Sequence, residues 1–202
     1  YWFFARDKIW REYTLLHLIE RITGEKSTGH MVDEELREII IERDDLKEQR
    51  FENLIKKCEI IDIYKYLPPD EIARIIAEKL AHRLDTDEKK LYRLIMKREK
   101  DSSVVIHPGI AIVSHIIKGR DKFEMLLVRS RKGIILSEDV GPIHAFFVIV
   151  ASPDQKNFYL HSLMWIVQIA EGINFETEWI IAKDDRELKN IILAAWKKRE
   201  SI

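Results

Sequence analysis

The chain holds 202 residues, 46% of them hydrophobic, which is enough to bury one sizeable core with an appendage and too few for two full domains. Lys and Arg number 34 against 35 Asp and Glu, a formal net charge of -1 that lacks the basic excess required for sequence-blind phosphate binding, so nucleic acid is excluded as a partner. The single cysteine, Cys58, excludes an intrachain disulfide and a thiolate zinc site, fits a reducing cytosol, and is expected to be buried and structural.

The chain opens YWFFARDKIWR, four bulky apolar residues followed by Arg6, Lys8 and Arg11. No run approaches the roughly 20 apolar residues of a bilayer span. Rings followed by cations are nevertheless what the cytoplasmic exit of a transmembrane helix presents, so Tyr1 to Phe4 reads either as the end of such a span or as the start of an amphipathic helix. Ile9, Tyr13, Leu16, Ile19 and Ile22 recur at three- and four-residue steps and predict a helix over 5–23, ended by GEKSTGH. Asp33 is placed to cap a second helix whose stripe runs through Leu36, Ile39, Ile40, Leu46, Phe51, Leu54 and Ile55. Residues 1–57 therefore read as a helical connector, its charges forming a solvated face. A charged fraction of 34% with only 7 glycines resembles thermophile composition.

From Cys58 the pattern becomes EIIDIYKYL, a short strand closed by Pro68 and Pro69. A helix follows over DEIARIIAEKLAHRL with Ile72, Ile75, Ile76, Leu80 and Leu84 inward. Asp85 or Asp87 caps the next, EKKLYRLIMKREK, with apolar positions Leu91, Leu94 and Ile95. VVIH, GIAIVSHII, FEMLLVRS, KGIIL and AFFVIVAS then read as separate strands, several apolar on both faces and hence sandwiched between helices. NFYLHSLMWIVQIAEG and DDRELKNIILAAWKK return to helix. The order predicts an α/β (α+β) fold, a mixed sheet flanked by helices over 58–202, preceded by the connector over 1–57.

His107, His115, His144 and His161 fall in the strand-rich half without the spacing or flanking carboxylates of a metal site, so no metal is expected. No dinucleotide fingerprint, P-loop, nucleophile elbow or paired-carboxylate motif occurs, and no cofactor is expected.

The succession LIMKREKDSSVVIHPGIAIVSH, RKGIIL, PIHAFFVIVASPDQKNFYLHSLMWIVQIA and FETEWIIAKDDRELKNII resembles the type-2 enzyme IIA domain of the bacterial phosphotransferase system, the fructose, mannitol and nitrogen-regulatory class. The resemblance implies a domain that carries a phosphoryl group on a histidine nitrogen between a phosphocarrier protein and a sugar-transporting subunit. Arg98 and Glu99 match the family's Arg-Glu, Ser102 and Ser103 its small hydroxyls, and Gly109 to Ile112 the start of its active-site strand. Arg98 is then the residue expected to face an anion, its guanidinium being a fixed fork of donors. Val113 stands where the family has proline, and Ser114 where it has the phosphorylated histidine. His115 comes one residue late, on the opposite face of an extended strand unless a bulge restores the phase. The second family histidine falls on Tyr159, and His161, two positions on, lies about 200° around the helix.

Two functions follow from that resemblance. In the first, the domain is a non-catalytic regulatory or sensor domain on the cytoplasmic side of the membrane, joined through 1–57 to a membrane-embedded transporter portion of the same polypeptide that resembles an amino-acid permease. Its pocket at Arg98, Ser114 and Tyr159 then binds a small anion, a nucleotide or nothing, and the connector either relays the change or pairs with a second copy. In the second, the domain is a working phosphocarrier with His115 as the catalytic acceptor, brought to the pocket by a bulged strand.

Overall fold

The computed structural model describes residues 45–99, 105–136, 141–172 and 174–198. The predicted helix over 5–23 and the opening YWFF lie outside the described residues. The described chain runs α1 (Asp45–Lys57), β1 (Glu59–Ile63), α2 (Pro69–Leu84), α3 (Glu88–Glu99), β2 (Val105–His107), β3 (Ile110–Ile116), β4 (Phe123–Ile134), β5 (Ile143–Ala151), a 3-10 turn (Pro153–Gln155), α4 (Lys156–Ala170), α5 (Phe175–Ile181) and α6 (Asp185–Lys198). One five-stranded sheet has the order β1-β4-β5-β3-β2, with β1 parallel to β4, β5 parallel to β3, and the other two pairings antiparallel.

Strands apolar on both faces need cover on both faces, and two separate cores supply it. Ile110, Ile112, Met125, Leu127, Phe147 and Ile149 pack with residues of α1, α4, α5 and α6. Their sequence neighbours Ala111, Val113, Leu126, Val128, Phe146 and Val148 pack with α2 and α3 on the other side. The period-2 alternation of a strand thus sorts each residue into one layer or the other.

Helix ends follow local chemistry. Pro69 opens α2, where the missing N–H costs nothing. Of the two candidate caps, Asp87 accepts the Lys90 backbone N–H at 2.7 Å and starts α3, while Asp85, at φ 44, ends α2 in the left-handed region. Leu94, expected on the apolar stripe of α3, turns outward and is 37% exposed.

Three other features depart from the expected pattern. FEMLLVRS and the first three residues of KGIIL form one strand, β4, with a register irregularity between Arg129 and Ile134. FETEWII forms a short helix, α5, that periodicity did not signal. Residues 45–57, grouped by pattern with the connector, send Phe51 and Ile55 into the core at zero exposure, with the Phe51 ring 4.9 Å from Trp165 and 5.7 Å from Trp196. Cys58 is buried as expected, and burial pushes its thiol up to about 12.

Candidate functional site

The site indicated by the sequence lies where β3 and β5 end and α4 begins. Gly109 starts β3 from a φ of 77, a backbone conformation that glycine adopts without strain. From there β3 and β5 pair in parallel without a break, Ile110 against Ala145 through Ser114 against Ile149 to Ile116 against Ala151. The irregularity next to β3 lies on β2, between Val105 and His107. No register shift therefore occurs between Val113 and His115 in the pairing with β5.

Strict alternation then assigns the faces. Ser114 shares the side of Ile110 and Ile112, the layer that holds Tyr159, whereas His115 shares the side of Ala111 and Val113, beneath α2 and α3. All three are buried: Ser114 at 2%, His115 at 6% and Tyr159 at 1% exposure. On α4, His161 is also buried, with Nδ1 2.9 Å from the Asn157 carbonyl and its ring 5.4 Å from Trp165. Ser114 and Tyr159 thus lie on one side of the sheet, and His115 on the other. Arg98 sits in the last turn of α3, where only its backbone is described, and Ser102 and Ser103 lie outside the described residues.

The turn that carries β5 into α4 is held by a polar network the sequence did not single out. Buried Ser152 donates to Asp154 Oδ1 at 2.6 Å and accepts the Lys122 backbone N–H at 3.0 Å. Asp154 also accepts the Asp121 backbone N–H at 2.8 Å. The Ser152 hydroxyl first, and then the Asp121 amide, hold the Asp154 carboxyl well below the usual carboxylate range. Gln155, the residue before α4, donates to Asp154 and accepts from Arg50 of α1 at 2.8 Å. The string SPDQ, with a hydroxyl and a carboxylate around a proline, is the signal that could have marked this turn.

Chemically, the β3 position on the Tyr159 side of the sheet offers a hydroxyl and not an imidazole. A serine at that point needs an adjacent base before it can act as a nucleophile, and its following residue points to the other layer. Among the described residues no group of three or more His, Cys, Asp or Glu side chains could hold a metal ion. No described helix is long and apolar enough to cross a membrane.

A family model, that of the phosphoenolpyruvate-dependent sugar phosphotransferase system EIIA 2, matches residues 52–195, opening within α1. Among solved structures, nitrogen regulatory protein IIA-Ntr from Neisseria meningitidis superposes with a TM-score of 0.59 at 14% identity, over 66% of this chain and 91% of that one. The mannitol-specific cryptic phosphotransferase enzyme IIA CmtB from Escherichia coli does so with a TM-score of 0.56 at 15% identity, over 71% of this chain and 97% of that one. No curated protein matches the chain. At these identities the two structures bear on the fold alone.

Proposed function

The chain belongs to the phosphoenolpyruvate-dependent sugar phosphotransferase system EIIA 2 family, and we propose that it serves as a non-catalytic regulatory domain of a membrane transporter that keeps the fold without the phosphoryl relay. The observation that carries this reading is the unbroken β3–β5 register, which sets Ser114 on the Tyr159 side and His115 on the other. A phosphoryl relay needs a neutral imidazole reachable by partner proteins, and both nearby histidines, His115 and His161, are almost fully buried.

In this role a small anion or nucleotide is received at Arg98, whose helix α3 covers the face of the sheet opposite Ser114 and Tyr159, so the three do not share one pocket, and the occupied state differs from the empty one in how α1 is held. Arg50 supports such coupling, since it joins α1 to Gln155 at the start of the helix that carries Tyr159. Residues 1–44 lead from this helix to the transporter, on the cytoplasmic side of the membrane.

Mixing the protein with the phosphorylated general phosphocarrier protein and reading intact mass tests the reading. The expected result is no phosphoryl gain. Gain of one acid-labile phosphoryl group, abolished in His115→Ala, would establish the phosphocarrier function in its place. The transporter link is tested by fractionating cells that make the natural full-length chain: it is expected with the membranes, and recovery in the soluble fraction would break that link.

A further inference from the structure

A second groove, of about 400 Å3, lies between α1, the end of α2 and the start of β4, within the size range of sites for small organic ligands. Neither Ser114 nor Tyr159 lines it, so it stands apart from the site above and does not rest on the proposed function. Three cations and one carboxylate line it: Arg50 and Lys57 from α1, Arg83 from α2, and Glu124 from β4.

Arg83 is already balanced, 3.6 Å from a Glu59 oxygen and 3.4 Å from a Glu124 oxygen. Arg50 and Lys57 are not: among the described residues no carboxylate comes within ion-pair distance of either. The Arg50 guanidinium is also preset. It donates through Nη2 to Gln155 Oε1 at 2.8 Å and lies 3.9 Å from the Phe158 ring centroid and 5.5 Å from that of Phe123. Arg50 is exposed at the mouth of the groove, and the desolvation it does have against the phenylalanine rings lowers its pKa. Phe123 and Leu54 supply an apolar wall beside these charges.

We propose that this groove binds a phosphate monoester, its dianion at Arg50 and Lys57 and its organic group against Phe123 and Leu54. Two cations without a carboxylate partner among the described residues match a dianion, whereas a monocarboxylate would leave one of them uncompensated. The planar arginine fork fits two phosphate oxygens, with lysine, about 10.5 Å further along α1, reaching in as a point charge from the other end of the groove. A ligand seated there touches α1, α2 and β4 together, so it ties the helix that follows residues 1–44 to the sheet.

The test is an amide NMR titration at constant ionic strength with inorganic phosphate, adenosine monophosphate and adenosine as probes. Saturable shifts are expected at residues 50–58 and 123–125 with both phosphate probes, tighter with the monophosphate, and none with adenosine. Arg50→Gln and Lys57→Gln, the latter remote from the phenylalanine rings, should each weaken the monophosphate about tenfold, the loss of one charged hydrogen bond. Absence of saturable shifts at these residues, or unchanged affinity in both variants, overturns the site. Adenosine binding as well as its monophosphate overturns the anion, and inorganic phosphate binding as tightly as the monophosphate overturns the ester.

Discussion

Asp62→Ala probes the most heavily buried charge of the described molecule. Arg129 has zero exposure, and its guanidinium donates to both oxygens of Asp62, through Nε to Oδ1 at 2.8 Å and through Nη2 to Oδ2, and through Nη1 to the Trp179 and Ala182 carbonyls. Removing the carboxylate leaves a guanidinium in the interior with only two neutral acceptors. Breaking one partner of a buried pair costs about 3–5 kcal/mol, and the two remaining carbonyls place this case near 3 kcal/mol. For a domain of this size that lowers the melting temperature by roughly 6–12 °C. Differential scanning calorimetry of parent, Asp62→Ala and the double variant Asp62→Leu with Arg129→Met measures it; the double variant recovers most of the loss because neither charge then stays buried alone. The pH dependence has a definite sign. Burial raises the Asp62 carboxyl, but the hydrogen bonds from Arg129, Arg131 and Tyr64 outweigh it and leave it below its ordinary value. A depressed carboxylate stabilises the fold above its unfolded pKa of about 4 and loses that contribution as pH falls through the folded value. The gap between parent and Asp62→Ala should therefore narrow below about pH 4. A loss under about 1 kcal/mol at pH 7, or a gap that widens on acidification, refutes the assignment of Asp62 as the counter-charge.

Two further outcomes follow from packing. Phe51→Ala removes a fully buried ring from between Trp165 and Trp196 and should cost about 3–5 kcal/mol in urea unfolding; a loss under about 1 kcal/mol would mean that α1 is not part of the cooperative unit. Gly109→Ala places a Cβ 2.0 Å from Glu176 Oε1 at a φ of 77. The left-handed backbone alone should cost about 1–2 kcal/mol, and this cost should persist in a Glu176→Ala background, which relieves only the clash; a neutral Gly109→Ala in thermal unfolding contradicts the turn geometry.

Much of the fold was legible because strands buried on both faces read as continuous apolar runs. What local pattern could not reach was any element defined by a distant partner. Arg129, Arg131 and Lys132 look like the polar end of a strand, yet β4 runs on through them because Asp62, 67 residues away in sequence, neutralises Arg129 in the interior. The seven-residue α5 is too short for a helical period and is held by Trp179, fully buried with its indole N–H on the His144 carbonyl. The spacing of Phe51 and Ile55 announced a helix with an apolar stripe, but a stripe does not say what covers it. The cover, Trp165 and Trp196, comes from α4 and α6 near the other end of the chain.

The candidate site was legible to one remaining variable. Counting from Gly109 puts Ser114 and His115 on opposite faces, and only an extra residue in β3 could reverse that. Bulges cannot be read from GIAIVSH, because each of those residues is compatible with a regular or an irregular strand. Seven consecutive pairings with β5 leave no extra residue between Val113 and His115, and the irregularity at Val105 and His107 falls on the edge strand instead. Sliding β3 by one residue would bring His115 to the Tyr159 side, but it would also exchange Ile110 and Ile112 with Ala111 and Val113 across the two cores, replacing large side chains by small ones in one layer and overfilling the other. The packing of four neighbours thus fixes the face of one imidazole. For β3 itself to present an imidazole on the Tyr159 side, a histidine must stand at position 114; a displaced strand does not supply it.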